Sequence, residues 1–228
     1  MRAVLADKGL ECEPPTGVGK MADIEGKNFT LFWDFDRDAL RDLNFVGRIE
    51  WLRLRVNETL LRPISLLEMH IGEAFVYLAV VELVCAGIES LSDFYGNGNH
   101  GKGSQFCRFV YKFMSSDYEG EALDNEGRSI SFCEHLRKYF RNGLDHGFSI
   151  QWGGLWHADE PDLTPGYLRH NKKNEGIAVC PKAFVKDFQN AVELYFQQLS
   201  KEGEHSVIGR NFTKRFKSIL NQECSKRR

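Results

Sequence analysis

The stretch that decides the fold is "SLLEMHIGEAFVYLAVVELVCAGIESLSDFY", residues 65–95. Its apolar side chains cover nearly every face of a helix, a pattern typical of a helix that packs on several sides. The longest apolar run within it, residues 74–87, is interrupted by Glu82 and is too short to span a bilayer. We therefore expect a soluble protein that is built around this helix and has no membrane contact.

Helical spacing continues on both sides of the central stretch. Apolar residues recur at helical intervals from Leu40 to Leu60, where Asp36 or Asp38 is placed to cap the start and Pro63 to end or kink the helix. Four further segments have helical patterns: 105–114, 131–148, 182–203 and 209–228. The sequence predicts an all-α, up-and-down bundle of roughly five helices.

The segment 131–148 has a capping signal at its start and a polar stretch before it. Ser129 or Ser131 can cap this helix, and Ser131 has the spacing of a capping box to Glu134. Residues 115–129 are rich in polar and turn-forming residues, and we predict a polar loop there.

Changes of composition along the chain suggest its domain organisation. Residues 1–30 have the Pro, Gly and charge content of a loosely ordered extension, 31–205 form one helical domain, and 206–228 form a basic C-terminal helix or tail. An irregular insertion at 147–181 follows the fourth helical segment. Within it, "GYLRH" (166–170) and "GIAVC" (176–180) could form a small β-hairpin.

Overall charge and cysteine usage exclude several classes of protein. The 30 Lys and Arg residues nearly balance the 32 Asp and Glu residues, and a net charge of -2 predicts no strong global field for nucleic acid. Any nucleic-acid contact must come from a local patch. The six cysteines are scattered without zinc-site spacing, which indicates free thiols in a reducing, cytoplasmic compartment. The sequence predicts no metal and no cofactor.

The glycine-rich stretch "GNGNHGKGS", residues 96–104, nearly spells a phosphate-binding loop. Gly96, Gly101 and Lys102 fit the pattern, but Gly103 stands where a hydroxyl should hold magnesium. The segment before it is helical, whereas a P-loop follows a strand. We interpret it as a connection between two helices.

Three other sets of polar or aromatic residues have two interpretations each. Glu82, Glu89 and Asp93 share one face of the central helix, either as a solvated stripe or with one carboxylate orienting a catalytic cation. Aromatic side chains of the insertion either pack the loop on the core or stack on bases: Trp152, Trp156 and His157. The basic residues of the C-terminal segment are either a solvated end or phosphate contacts: Lys214, Arg215, Lys217, Lys226, Arg227 and Arg228.

The hexapeptide "RNGLDH", residues 141–146, is the strongest candidate for a chemical site. Arg141 is a permanent cation with a planar donor fork suited to phosphate, and His146 can act as a general acid or base near neutral pH. Phosphodiester cleavage needs both functions, namely charge stabilisation and proton transfer.

The spacing of the two residues raises a geometric problem. On a straight helix, positions five apart diverge by about 140°. Either the helix breaks at Gly143 and His146 turns back, or the residues line a cleft between two copies of the chain. Gly143 would also let a neighbouring backbone come close. An arginine and a histidine separated by four to six residues also occur together by chance. Arg128 and His135 are such a pair, with the histidine in mid-helix.

The hexapeptide resembles the signature of HEPN domains, R-x(4-6)-H with a polar residue directly after the arginine. Arg141, Asn142 and His146 match it, and the helical context over residues 37–200 is similar. The resemblance implies an HEPN-like bundle, a homodimer in which two motifs face each other, and metal-independent endoribonuclease activity. Arg141 would stabilise the scissile phosphate, His146 would move the proton of the 2′-OH or the leaving group, and Asn142 would orient them.

The same resemblance leaves the biological role open. HEPN proteins occur in toxin–antitoxin, phage-defence and RNA-processing systems, so RNA and a cognate antitoxin or regulatory protein are the expected partners. The alternative is a non-catalytic HEPN-like sensory or partner-binding module, in which Arg141 and His146 either stabilise a dimer interface or cap the helix end through favourable interactions with its dipole. A third interpretation is an unrelated helical protein, in which Arg141 is salt-bridged to Glu82 or Glu89 far from His146.

Overall fold

A computed structural model describes residues 21–30, 37–69, 74–96, 102–147, 149–155, 168–170 and 176–221 of the chain. These residues are mostly helical, as an all-α bundle requires. The helices are α1 (Arg37–Arg41), α2 (Phe45–Val56), α3 (Arg62–Glu68), α4 (Ala74–Tyr95), α5 (Lys102–Phe113), α6 (Phe132–His135), α7 (Asn142–Gly147), α8 (Pro181–Glu202) and α9 (Val207–Asn221). The short strands are β1 (Met21–Ile24), β2 (Lys27–Thr30), β3 (Glu121–Leu123), β4 (Ser129–Ser131), β5 (Gly154–Leu155), β6 (Leu168–His170) and β7 (Ile177–Val179).

Helix α4 is the central element of the fold. It packs against α3, α5, α8 and α9, which explains why its sequence is apolar on so many faces. Five of its side chains are completely buried: Val80, Val81, Val84, Cys85 and Ile88. Gly87 permits the closest of these contacts, because a Cβ there would lie 2.5 Å from both Leu60 and Phe188. The prediction of a buried central helix is confirmed.

Helices α2 and α3 are joined by a π-helical turn, Asn57–Leu61. Pro63 follows this turn, and its ring crowds the carbonyl four residues earlier while it has no N–H to donate. The backbone N–H of Arg62 instead reaches the carbonyl of Asn57. Pro63 thus changes the helix pitch, and the helix continues to Glu68. The start of α2 is capped by Asn44, whose side chain accepts a hydrogen bond from the N–H of Gly47. Of the two residues predicted as caps, Asp38 lies in the first turn of α1, and Asp36 lies outside the described residues.

A second helix with a π-helical turn carries the "RNGLDH" motif. Ser131 caps the start of α6 by accepting a hydrogen bond from the N–H of Glu134 at 3.2 Å, as predicted from their spacing. The π-helical turn Leu136–Arg141 follows, and α7 continues from it. The inward side chains of this turn, Leu136, Tyr139 and Phe140, are buried.

Helix α9 belongs to the bundle although we predicted it as part of a basic C-terminal segment. It packs against α1, α4 and α8. Its aromatic residues contact α2 edge to face, with ring centroids 5.6 Å apart for Phe45 with Phe212 and for Trp51 with Phe216. Aromatic pairs of this kind add to the free energy gained by burying their area.

Three small sheets accompany the helices. In the insertion, β6 pairs with β7 in an antiparallel hairpin, as predicted, with Arg169 opposite Ala178, and β5 adds a parallel strand to β7. Two hairpins were not predicted. Strands β1 and β2 lie in the segment that we expected to be loosely ordered, and β3 pairs with β4 where we expected a polar loop. Residues 1–20 lie outside the described part of the chain. Among the helices described, none is long and apolar enough to cross a membrane.

Candidate functional site

The first two residues of the motif lie side by side where the π-helical turn ends. Arg141 is the last residue of the turn and Asn142 the first of α7. Nη1 of Arg141 donates a hydrogen bond to Oδ1 of Asn142 at 2.9 Å. The Arg141 side chain is 26% exposed, so solvent or a ligand can reach it. The motif therefore presents a cation and an amide together at the surface.

Glu89 of α4 holds the Arg141 guanidinium from the other side. One carboxylate oxygen, Oε2, accepts hydrogen bonds from Nη2 at 2.6 Å and from Nε at 2.8 Å. These charge-assisted contacts fix the plane of the guanidinium. Of the two interpretations of the acidic stripe, the one in which a carboxylate orients a nearby cation matches Glu89. The same ion pair is also the feature that the coincidence hypothesis required.

The motif helix does not break at Gly143. Helix α7 continues from Asn142 to Gly147, so the first of the two alternatives, a break at Gly143 that lets His146 turn back, is not found. Within a continuous α-helix, Arg141 and His146 remain about 140° apart around the axis. The side chain of His146 lies outside the described part of the structure. A cleft between two copies of the chain therefore stays a prediction.

The prediction of a close backbone approach at Gly143 is confirmed. A Cβ at this position would lie 2.4 Å from the backbone carbonyl oxygen of Ser149. The chain returns over the helix here, and the N–H of Gln151 donates a hydrogen bond to the carbonyl of Tyr139 at 3.1 Å. The glycine of the motif thus has a packing role that requires no chemistry.

Arg141 is one of the residues that line a groove of about 570 Å³ between α2, α4 and α9. A volume of this size is within the range of about 300–1,000 Å³ found for small-ligand pockets. Two other arginines and two acids share it with apolar walls. The groove residues are Trp51, Leu52, Arg55, Val56, Thr59, Leu60, Ala86, Gly87, Glu89, Ser90, Asp93, Phe94, Arg141, Arg215 and Ile219.

The two other arginines of the groove are held in different ways. Nη2 of Arg215 donates to Oδ2 of Asp93 at 2.9 Å. The guanidinium of Arg55 lies over the ring of Trp51, 5.4 Å from its centroid. Burial lowers the pKa of Arg55 from its ordinary value, although an arginine remains protonated at neutral pH.

Sequence reasoning did not find the groove. Arg55 was not singled out, and Arg215 was counted with the basic C-terminal segment. The available signal was Asp93, which we placed on the acidic stripe, but its partner is 122 positions away in sequence. Only the packing of α9 on α4 brings the pair together.

The second Arg–His pair is structural. The carboxylate of Asp124 is fully buried and accepts hydrogen bonds from Nε and Nη2 of Arg128 and from Nζ of Lys138. Burial alone would raise the pKa of Asp124, but these donors and the N–H groups of Arg128 and Glu126 hold that pKa well below its ordinary value. The ion pair of Asp124 with Arg128 stabilises the turn between β3 and β4.

The histidine of that second pair is completely buried. Nε2 of His135 lies 3.1 Å from the carbonyl oxygen of Ala122. Burial lowers its pKa below 6.5, so the ring is predominantly neutral at pH 7. His135 thus belongs to the packing of β3 on α6, and Arg128 belongs to the β3–β4 turn.

The aromatic residue of the insertion that the structure describes also has a packing role. Nε1 of Trp152 donates to the carbonyl oxygen of Leu123 at 3.2 Å, and a Cβ at Gly176 would lie 2.9 Å from its ring. This favours the packing interpretation. Trp156, His157 and positions 97–101 of the glycine-rich stretch lie outside the described residues.

The cysteines that are described, Cys85, Cys107, Cys133 and Cys180, are free and buried. The prediction of free thiols is confirmed for these four. Burial raises the pKa of the Cys85 thiol well above its ordinary value, so it is not a ready nucleophile. Within the described ranges, no group of three or more His, Cys, Asp or Glu side chains is arranged to hold a metal ion.

No protein-family model, curated protein or solved structure matches this chain.

Proposed function

We propose that this protein is a HEPN-type, metal-independent endoribonuclease that cleaves RNA at a composite site in a homodimer. The observation that carries the proposal is the arrangement of Arg141 and Asn142. The two side chains are hydrogen-bonded to each other and partly exposed, and Glu89 fixes the guanidinium, which lines a groove. A toxin or defence role, with a cognate antitoxin or regulator, is the biological setting that the motif suggests.

The chemistry follows from the residue types. The guanidinium of Arg141 stabilises the charge that develops on the non-bridging oxygens of the scissile phosphate. His146 takes the proton from the 2′-OH as that oxygen attacks the adjacent phosphorus atom. The bond from phosphorus to the 5′-oxygen breaks, and a water molecule protonates the leaving 5′-oxygen. The products are a 2′,3′-cyclic phosphate and a 5′-hydroxyl. Asn142 helps to orient the phosphate. Because the attacking group is the 2′-OH, DNA is not cleaved.

The homodimer is part of the proposal because one helix cannot present both residues to the same phosphate. Arg141 and His146 are about 140° apart around α7. In an arrangement with two-fold symmetry, the arginine of one protomer and the histidine of its partner can face each other.

A second candidate function is a non-catalytic HEPN-like module that binds a partner. The specific observation in its favour is the Glu89–Arg141 ion pair, because it already partners the cation that a phosphate would need. In this case Arg141 stabilises the bundle, and the exposed faces bind another protein.

An RNA cleavage assay in excess chelator separates the two functions. We expect the wild-type dimer to cleave single-stranded RNA, and Arg141→Ala and His146→Ala each to reduce the rate by at least about a hundredfold, the scale at which such groups contribute. Arg53→Ala is the matched control, because Arg53 makes an exposed ion pair with Glu193 at 2.8 Å. Cleavage that is absent in the wild type, or unchanged in the double variant, would exclude the enzyme and leave the module.

A further inference from the structure

The groove beside Arg141 contains two ion pairs on successive turns of one helix. Glu89 and Asp93 are four residues apart on α4, which places their carboxylates about 6 Å apart along the helix axis. Glu89 holds Arg141, and Asp93 holds Arg215. The two guanidiniums are therefore fixed in a row whose spacing is set by α4, on the scale of neighbouring phosphates in an unstacked strand.

A third cation also lines the groove. Arg55 comes from α2, and its guanidinium lies over the Trp51 ring. Three guanidiniums against the carboxylates of Glu89 and Asp93 leave the groove with a net charge of about +1 before a ligand enters. This local excess of positive charge contrasts with the net charge of -2 of the whole chain.

The remaining surface suits a single strand better than a duplex. Ser90, between Glu89 and Asp93, and Ala86, one turn before Ser90, are exposed lining residues, and the walls are largely apolar. Small and apolar surface accommodates ribose and base faces, and guanidinium planes can stack on bases as well as bind phosphate. A volume of about 570 Å³ holds one or two nucleotides, whereas a duplex is far wider.

We infer that this groove binds the single-stranded RNA next to the scissile phosphate, with Arg215 and Arg55 as binding residues for the flanking phosphates. The inference rests on the proposed function, since it assigns the substrate class and the path of the strand at that same site. Arg215 and Arg55 contribute affinity, and Arg141 and His146 carry out the chemistry.

The test measures binding and cleavage separately. A fluorescein-labelled 2′-O-methyl RNA of mixed sequence cannot be cleaved, because it lacks the attacking hydroxyl, and its affinity is read by fluorescence anisotropy in chelator. We expect Arg215→Ala and Arg55→Ala each to weaken binding about tenfold and to reduce the slope of log K against log salt by about 0.7, the loss of one phosphate contact on a single strand. With cleavable RNA, KM should rise about tenfold while kcat stays within about threefold.

Two controls accompany these variants. Arg53→Ala removes an arginine that is paired with an acid outside the groove and should leave affinity unchanged. Ser90→Asp adds a negative charge inside the groove and removes no contact made by an arginine, so it should weaken binding. Its matched control is Ser200→Asp at an exposed position of α8, which should leave binding unchanged. Far-UV circular dichroism of each variant verifies the fold, and the Ser90 pair keeps the test valid if an arginine variant unfolds.

The outcomes distinguish this inference from the proposed function. If the groove variants lose affinity but the wild type cleaves no natural RNA, binding stands and the enzyme is excluded. If the wild type cleaves RNA and the groove variants keep its KM, the inference alone is overturned. The inference would also be overturned if the matching duplex bound more tightly than the single strand, because the groove would then hold a duplex. It would be overturned as well if Ser90→Asp converted a dimer to a monomer, because the groove would then hold a second copy of the chain. If the protein neither binds nor cleaves RNA, both the inference and the proposed function are overturned.

Discussion

Glu89 accepts two hydrogen bonds from Arg141 on a single carboxylate oxygen, although the residues are 52 positions apart. This contact joins the central helix to the end of the π-helical turn, and it determines which way the motif arginine points. A cation fixed in this way is useful to an enzyme that must place a charge accurately, and equally useful to a bundle that must fix one helix on another. Measurements on the pair are therefore informative under either function.

The Glu89–Arg141 pair should couple more strongly than an exposed pair. Its side chains are 23% and 26% exposed, against 51% and 55% for Glu193 and Arg53. We expect a double-mutant cycle with alanine to give a coupling free energy of about 1–2 kcal/mol for Glu89–Arg141 and about 0–0.5 kcal/mol for Glu193–Arg53. Urea unfolding of the four variants in each cycle measures this difference, and equal couplings would contradict it.

Gly143→Ala should destabilise the fold by about 1–3 kcal/mol, the usual cost of overpacking. The added methyl would overlap the carbonyl oxygen of Ser149, which is backbone and cannot move without shifting the returning chain. Gly154→Ala is the matched control, because a Cβ there meets nothing within 4 Å. Comparable losses of unfolding free energy at the two positions would show that the close approach does not limit the packing.

Buried His135 should make the protein less stable in mild acid. Its folded-state pKa is depressed by burial, so the unfolded state binds more protons below an unfolded-state pKa of about 6.5. The free energy of unfolding should therefore fall as the pH drops from 6.5 towards 5. His135→Gln should flatten this dependence, because it removes the buried imidazole. Thermal melts at half-unit pH intervals test this, and the same slope in His135→Gln would contradict it.

Asp124 should control the β3–β4 turn and contribute to stability over a lower pH range. Its folded-state pKa is depressed, so its stabilising contribution is present above its ordinary pKa of 3.8 and is lost as the pH falls through the folded-state value. Asp124→Asn should lower Tm at pH 7 more than Asp38→Asn, whose carboxylate is in an exposed pair with Arg41. The difference in Tm between the two variants should narrow below pH 3.8. A difference that stays constant with pH would argue against the ionised carboxylate of Asp124 as its cause.

Local signals in the sequence predicted much of the fold. The all-round apolar pattern of residues 74–95, the capping residue Ser131 and the hairpin of β6 with β7 each depend on neighbours in sequence, and each is found in the structure. Pro63 was predicted to end or kink the helix, and the structure has a π-helical turn directly before it. A single proline in the sequence cannot reveal whether the helix stops or changes its pitch.

The missed features have two physical causes. The β1–β2 hairpin turns at Glu25 and Gly26, which both have positive φ. The sequence signal for this turn is short, and it lies in a segment whose composition suggests a loose extension. The groove has no local signal at all. Arg215 reaches Asp93 only because α9 packs on α4, and no pattern within either helix encodes that crossing.

The π-helical turn before the motif has a consequence for how the chain tolerates changes in length. The N–H of Asn142 bonds to the carbonyl of Arg137, five residues back, so the turn accommodates one residue more than an α-helical turn does. An α-helix winds about 100° per residue, so one surplus residue in an α-helical turn would rotate everything after it by that angle. The wide turn absorbs the surplus residue, and Arg141 keeps the rotational position in which it contacts Glu89. A chain with one residue deleted within 136–140 should therefore still bring Arg141 to Glu89, whereas rewinding the full turn as an α-helix would keep every letter of "RNGLDH" and lose the orientation that makes those letters a site.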